Sequence, residues 1–315
     1  MAISATFKRS IETKWAFAYR LLIGLLLVGV SNFWGFSSPN GFVKCASIIE
    51  VNDLPLLQGN EFRYFVDPRQ ILAPLPSGET EFDEAWIIDP DLRLKRVFEG
   101  GVGNCAFRSK ALARKLQGMG VPYNIVWVMH AAKARGGEGH TLVECPIQVN
   151  EFQGAGLIDM LEGGVPLSNL RPLQVEDLLS HSEISEFRMQ TFSPLYDSLS
   201  SYYGPYLTDA AIGVTTSGDM NKYCDFIARV YTPLGYYRLE KGVYIVGAMV
   251  LGYYPPVYMS STEIARFDAW FHFEIVLARA MIWAIRLLIA MGIIDIVRLL
   301  NAQIRRVRSS KYVVH

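Results

Sequence analysis

Charge is scarce in this sequence. Only 19% of its 315 residues are Asp, Glu, Lys or Arg, and the 30 basic and 30 acidic side chains cancel. Without a basic excess nothing is set out to hold a nucleic-acid backbone, and neither a zinc-finger spacing nor a basic–aromatic patch occurs. Cysteine is scarce too. Cys45, Cys105, Cys145 and Cys224 lie far apart, which excludes a disulfide-built scaffold, and the lack of a CxxC pair excludes a metal knuckle. A disulfide between Cys105 and one of the others stays open, although a nucleophile must remain a free thiol. Apolar residues take the place of charge. At 51% hydrophobic, the composition leans toward a membrane-associated protein, and the length suffices for a sizeable core and more than one unit.

The apolar residues are concentrated at the two ends. Trp15 to Phe36 is interrupted only by Arg20, Ser31 and Asn32, and a bilayer core asks for about 20 such residues. Lys8, Arg9, Lys14 and Arg20 stand at its front, whereas only Lys44 follows closely. The positive-inside rule then predicts a cytoplasmic N-terminus (1–14), an anchor (15–36) and the bulk of the chain outside the cytoplasm of a cell membrane, in the periplasm if the cell has an outer membrane. A cleaved signal peptide cut near Gly29-Val30-Ser31 is the rival reading, and a buried helix is a third. Lipidation at Cys45 is disfavoured, because Lys44 stands where a small residue is wanted.

Near the other end, Trp270 to Leu300 is helical in pattern but carries Glu274, Arg279, Arg286, Asp295 and Arg298. Charges are costly at a bilayer centre. A second span with its charges facing protein, an interfacial amphipathic helix and a long soluble helix therefore compete. Arg305, Arg306, Arg308 and Lys311 follow at once, as suits a cytoplasmic membrane surface. Val243 to Met259, uncharged and interrupted by Pro255-Pro256, reads as a buried hairpin or a membrane-dipping segment.

Between the ends, 37–94 is a proline-interrupted lead-in, 95–172 a compact α+β core and 173–265 a Tyr-rich extension. The apolar helix fills 266–304 and the basic tail 305–315. In the core, Asn104 is a good helix N-cap. Cys105, Ser109, Leu112, Leu116 and Met119 then recur on one helical face. Gly118, Gly120 and Pro122 stop that helix. Tyr123 to Met129 reads as a strand, Ala131 to Gly139 as a glycine-rich loop, His140 to Val149 as a strand edged at Pro146, and Leu157 to Leu161 as a short third strand. In the extension, Leu178 to Gln190 and Tyr223 to Tyr231 read as helices. Its tyrosines, Tyr202, Tyr203, Tyr206, Tyr236 and Tyr237 among them, fit half-buried packing better than a groove for sugar or peptide.

Three side chains in the core carry chemistry. Cys105 opens a helix after Gly101-Val102-Gly103-Asn104. There the helix dipole favours a thiolate, and the first backbone N–H groups face a developing oxyanion. A buried structural cysteine is the competing account. His140, following Gly139, is the histidine at a strand start. Of the others, His130 begins a loop, His181 falls in the expected helix, His272 in the apolar C-terminal region, and His315 is terminal. A cysteine nucleophile wants such an imidazole as base and acid. Asp159 sits inside the apolar run Leu157–Leu161, where an acid is costly unless paired; orienting an imidazole is one reason to place it there, and capping the turn before Gly163 is another. A metal site built from the three is disfavoured by their separation and the lack of a fourth ligand, and no cofactor is expected.

Taken in order, Gly103-Asn104-Cys105, the turn Gly120-Val121-Pro122, His140 with Glu144 after it, and Asp159 resemble the transglutaminase-like core of the papain-like cysteine enzymes. The resemblance covers roughly 95 to 165. It implies a nucleophile helix packed on an antiparallel sheet, Cys105, His140 and Asp159 as catalytic triad, and acyl transfer through a thioacyl intermediate, with a peptide or amide-bearing substrate. Leu142 stands where the family often has an aromatic residue, and Met160 where a proline is common. Gln70 is a candidate for the upstream oxyanion residue. Some bacterial members hold calcium through acids near the cysteine; Ala106, Phe107 and Arg108 occupy that place here, so no metal is carried over. The alternative function is an inert transglutaminase-like scaffold or binding protein, with partners in a cell-envelope or polysaccharide assembly system.

Overall fold

A computed structural model describes residues 45–57, 62–72, 89–101, 103–130, 139–181, 184, 186–192, 209–231 and 248–311. The expected N-terminal anchor (15–36), its cleavage site, the loop 131–138 and the tyrosines at 202, 203, 206, 236 and 237 lie outside these residues.

The described chain is a mixed α+β structure. Its six-stranded sheet comprises β1 (Ile48–Val51), β2 (Asn124–His130), β3 (Gly139–Val149), β4 (Phe152–Ile158), β8 (Ala210–Thr216) and β9 (Val257–Ser260), in the order β1-β9-β8-β2-β3-β4. A second sheet joins β6 (Arg171–Pro172), β5 (Gly164–Ser168) and β7 (Arg188–Thr191). The helices are α1 (Pro68–Leu72), α2 (Pro90–Gly100), α3 (Cys105–Met119), α4 (Val175–Leu179), α5 (Ser217–Tyr231), α6 (Ser261–Ile264) and α7 (Ala269–Lys311).

Both faces of the large sheet are covered, and strand alternation divides them. Ile125, Trp127, Val143, Cys145 and Ile147 join Leu112 and Leu116 of α3 in the larger core. Val126, Val128, Leu142 and Leu157 point the other way, onto Leu173, Val175 and Leu178. This explains why β2 is apolar without interruption. Helix α3 forms where its caps predict. Asn104 Oδ1 accepts from Phe107 N at 3.0 Å, and Gly120 closes the helix in the left-handed region at φ 67°.

Several expectations need correction. The sheet is mixed, not antiparallel, because β1 pairs in parallel with β9. The third strand begins at Phe152 and ends at Ile158, before Asp159, since Asn150 takes φ 54° and closes a tight hairpin in which Val149 pairs with Phe152. Leu178–Gln190 is not one helix. His181 and Glu186 adopt φ 48°, and the chain leaves α4 to form β7 against β5. Pro146 does not break β3. It lies beyond the start of β2, where the isolated strand residue Val66 pairs with Ile147 and donates to Pro146 O at 2.9 Å. The helix expected from Tyr223 starts earlier, at Ser217.

The apolar C-terminal helix is present and long. At about 1.5 Å per residue its 43 residues would run roughly 65 Å. Its two halves differ. Phe271, Ile275, Ala278, Met281, Ile282 and Ile285 are buried in the larger core. The charges among them are answered locally: Glu274 accepts from Trp270 Nε1 at 2.9 Å, Arg279 donates to Ile48 O, and Arg286 donates to the carbonyls of Val250 and Met249 at 2.8 and 2.9 Å. From Leu287 on, most large apolar side chains are exposed, while Leu288, Gly292 and Leu299 are half-buried and Asp295 is buried along one face.

Glu144, fully buried on β3, accepts from Asn124 Nδ2 at 2.9 Å, and Asn124 also donates to Pro55 O at 2.9 Å. The two side chains pin the lead-in to the sheet. Burial pushes the Glu144 carboxyl up to about 7, against the hydrogen bond from Asn124. A carboxyl raised in the folded state contributes stability that is complete below its unfolded value and is lost as pH rises through the folded one. Glu144→Gln should therefore gain stability relative to wild type as pH rises from 4.5 to about 7 and hold that gain beyond. Urea midpoints across this range check it; a difference independent of pH would refute it. Leu116→Ala, at a position with no exposure, should cost about 2–5 kcal/mol in the same assay.

Candidate active site

Two glycines shape the approach to Cys105 and His140. Gly103 has φ 109°, and a Cβ there would stand 2.3 Å from the Phe107 ring. A Cβ at Gly139 would stand 2.5 Å from Val128 O. Any other residue would be strained at the first position and collide with the neighbouring strand at the second. Arg108, with no solvent exposure, holds the loop between α2 and α3 by donating to Gly103 O from Nε at 2.8 Å and to Gly101 O. Ser109 Oγ donates to Thr141 O at 2.8 Å, which fixes the start of α3 against the start of β3.

Cys105 thereby sits half-buried at the first position of α3, with its Sγ 4.0 Å from Gly139 O. His140, the next residue, is 4% exposed and Asp159 is 0% exposed. The imidazole Nε2 donates to Asp159 Oδ2 at 2.7 Å. Nδ1 is the ring nitrogen that Asp159 does not engage, and the His140 and Cys105 side chains lie near enough for each to act on the other's charge. Asp159 Oδ1 accepts from Leu161 N at 2.9 Å and Glu162 N at 3.1 Å, while its backbone exchanges two hydrogen bonds with Gly164. The carboxylate thus caps a turn and engages the imidazole at once. The structure brings together all three side chains singled out in the sequence.

Their electrostatics follow from this contact. Burial opposes charge on His140, but the charge and hydrogen bond of Asp159 outweigh it, with Cys105 adding to them, and the imidazole is raised to about 10. Burial likewise works to raise the Cys105 thiol, yet the His140 hydrogen bond and charge prevail and hold it below its ordinary value. Each side chain thus favours the charged form of the other, the direction of shift that a cysteine nucleophile uses. Cys145 and Cys224 are fully or almost fully buried, and burial pushes both thiols up.

Gln70 is not near this site, which corrects its candidacy as an oxyanion residue. It lines an open depression of about 420 Å³ with Phe65, Arg69, Gln148 and Asn150. Gln148 stands eight residues along β3 from His140, roughly 26 Å at strand rise. The donors that remain are the first N–H groups of α3, which no intrahelical carbonyl can satisfy. Sequence reasoning missed the roles of Arg108 and Ser109; only the i, i+4 spacing of Ser109 from Cys105 hinted at a shared face. His130 ends β2 opposite Ala210, and His181 donates to or accepts from Glu263 Oε1 at 2.6 Å, so neither is a member of the triad.

No protein-family model, no curated protein and no solved structure matches this chain.

Alkylation by iodoacetamide should occur at Cys105, with a rate whose midpoint lies below pH 9.0, the ordinary thiol value. The sign follows from the imidazolium partner: removing it by His140→Asn should move the midpoint upward. An unchanged midpoint would show that the thiol is not paired with His140.

Proposed function

We propose that the protein is a membrane-anchored cysteine-nucleophile acyl-transfer enzyme with a transglutaminase-like core, acting as an amide or peptide hydrolase. The observation that carries this reading is the buried His140–Asp159 hydrogen bond with Cys105 in contact at the start of α3. The Cys105 thiolate attacks the substrate carbonyl. Backbone N–H groups at the helix start stabilise the oxyanion. The imidazolium of His140 then gives its Nδ1 proton to the leaving amine, and a thioacyl intermediate remains. Water, deprotonated by His140, attacks the thioester and releases the acid and the thiol. An amine in place of water would complete a transamidation. Asp159 keeps the ring oriented and stabilises its positive charge throughout.

Membrane attachment is supported by the apolar half of α7, a helix long and apolar enough to cross a bilayer. The charge asymmetry around Trp15–Phe36 supports a cytoplasmic N-terminus with the catalytic domain outside. The basic residues after Ile304 agree with that direction, since a second span returns the tail to the cytoplasm.

An acyl electrophile carrying a reporter group should label Cys105 and spare Cys145 and Cys224. Labelling should vanish in Cys105→Ala and slow about 10²–10⁴-fold in His140→Ala. Intact-mass detection of a hydroxylamine-sensitive adduct reads both. A folded protein whose Cys105 ignores every acyl donor would instead be the inert scaffold of an assembly system. A reporter fused near Ser200 and active only in the cytoplasm would overturn the topology.

A further inference from the structure

The sheet has a triad end and an opposite end, and the strand register identifies each. Val128 pairs with His140 and Met129 with Gly139, while His130 pairs with Ala210. The end of β2 and the starts of β3 and β8 therefore lie together at the triad. Strand β9 runs antiparallel to β8, with Tyr258 opposite Val214, so Ser260 points toward the triad end and Val257 away from it. Strand β1 is parallel to β9, and Ile48 pairs with Val257. The chain thus enters the sheet at the end away from the triad.

Helix α7 runs between the two ends. The preceding α6 follows directly on Ser260, and its Glu263 accepts from Ile212 N at 2.6 Å, near the triad end. By Arg279 the helix has reached Ile48 O, at the far end. Two turns later Arg286 binds the carbonyls of Val250 and Met249. Beyond Ile285 no apolar side chain of α7 belongs to the core, although Asp295 is buried. Leu287, Ile289, Met291, Ile293, Ile294, Val297, Leu300 and Ile304 are all exposed, and at 1.5 Å per residue Leu287–Ile304 extends about 27 Å, against roughly 30 Å of bilayer hydrocarbon. Within it, Asp295 and Arg298 pair with each other at 3.8 Å.

What surrounds the exit is suited to a lipid headgroup layer. Trp283 is 61% exposed with the Arg286 guanidinium 5.1 Å from its ring centroid, and Leu251 and Tyr253 are 63% and 47% exposed on the turn next to Val250. Aromatic and basic side chains gather at such interfaces. Arg305, Arg306, Arg308 and Lys311 follow at the other end of the apolar stretch. Ile48, where β1 begins, lies at this same end.

We propose that the Cys105–His140–Asp159 end of the molecule faces away from the bilayer, and that the enzyme acts on an amide- or ester-bearing chain in the aqueous layer and not on a membrane lipid. This rests on the reading of α7 as a membrane segment. The offset follows from the register. Ile48 stands level with Ile125, three residues below Val128 and His140, or about 10 Å, and Leu287 lies eight residues past Arg279, about 12 Å further. The triad is thus held roughly 20 Å from the start of the apolar half.

The full chain in a Cys105→Ala background, reconstituted in phosphatidylcholine–phosphatidylglycerol vesicles, tests this. Single nitroxide labels go on Ile293→Cys, Val276→Cys and Asp209→Cys. Asp209 is exposed beside Ala210 at the triad end. Collisional relaxation by oxygen and by a water-soluble nickel chelate reports depth. The expected result is an oxygen-dominated signal at 293 and nickel-dominated signals at 276 and 209. A nickel-dominated signal at 293 would remove the membrane reading itself. A label at 293 within the bilayer together with one at 209 in lipid or headgroups would overturn the orientation alone. Equal lipid exposure at 276 and 293 would mean that α7 lies flat on the membrane, which also overturns it.

Discussion

A carboxylate removed entirely from water must be met by donors, or it gives up its charge or destabilises the fold. Asp159 meets this constraint with two backbone N–H groups on one oxygen and the His140 imidazole on the other. The demand runs outward from there. The imidazole can reach Asp159 only if β3 and β4 pair in the register that sets Val143 against Ile158. The turn after Asp159 must fold back so that Gly164 closes on it, and that same turn launches β5 and the second sheet. The charge retained on His140 in turn holds the Cys105 thiol below its ordinary value. One buried acid therefore couples sheet register, turn geometry and thiol reactivity.

The other half of the site is a matter of placing a helix end. Helix α3 lies on one face of the sheet, through Leu112 and Leu116, while His140 is in register with Val128 and Leu142 of the other face. The thiol and imidazole meet because the helix begins at the strand's first residues, where the Ser109–Thr141 hydrogen bond holds it. Arg108 keeps the preceding loop in shape by donating to the carbonyls of Gly101 and Gly103, between the end of α2 and the start of α3. A buried guanidinium and two glycines thus fix the one position at which a thiol gains both the helix dipole and an imidazolium.

Helix α7 shows how one continuous element can serve two solvents. Its first half is ordinary amphipathic core packing, with a stripe at helical spacing, its arginines bonded to carbonyls and Glu274 to the Trp270 indole. Its second half carries almost no charge, and its large apolar side chains are mostly exposed outside a narrow face of Leu288, Gly292, Asp295 and Leu299. The change falls at Arg286, at the exit from the globular body.

Much of this was legible in the sequence, and the boundary is physical. The start and stop of α3, the apolar strands and the apolar helix depend on caps, periodicity and turn residues within a few positions, such as Asn104, Gly120 and Pro122. The order of Cys105, His140 and Asp159 could be read for the same reason: each stands at the end of a locally specified element. What only the tertiary structure decided rests on contacts distant in sequence. Ile48 pairs in parallel with Val257 across some two hundred residues, and no local pattern announces that partner or the mixed sheet that results. Gln70 was plausible by residue type and misplaced by topology. Five charges made α7 ambiguous as a string, because composition does not say which side chains a distant carbonyl will satisfy. Burial and long-range pairing assigned Arg279 to Ile48 and Arg286 to Val250, and so divided the helix in two.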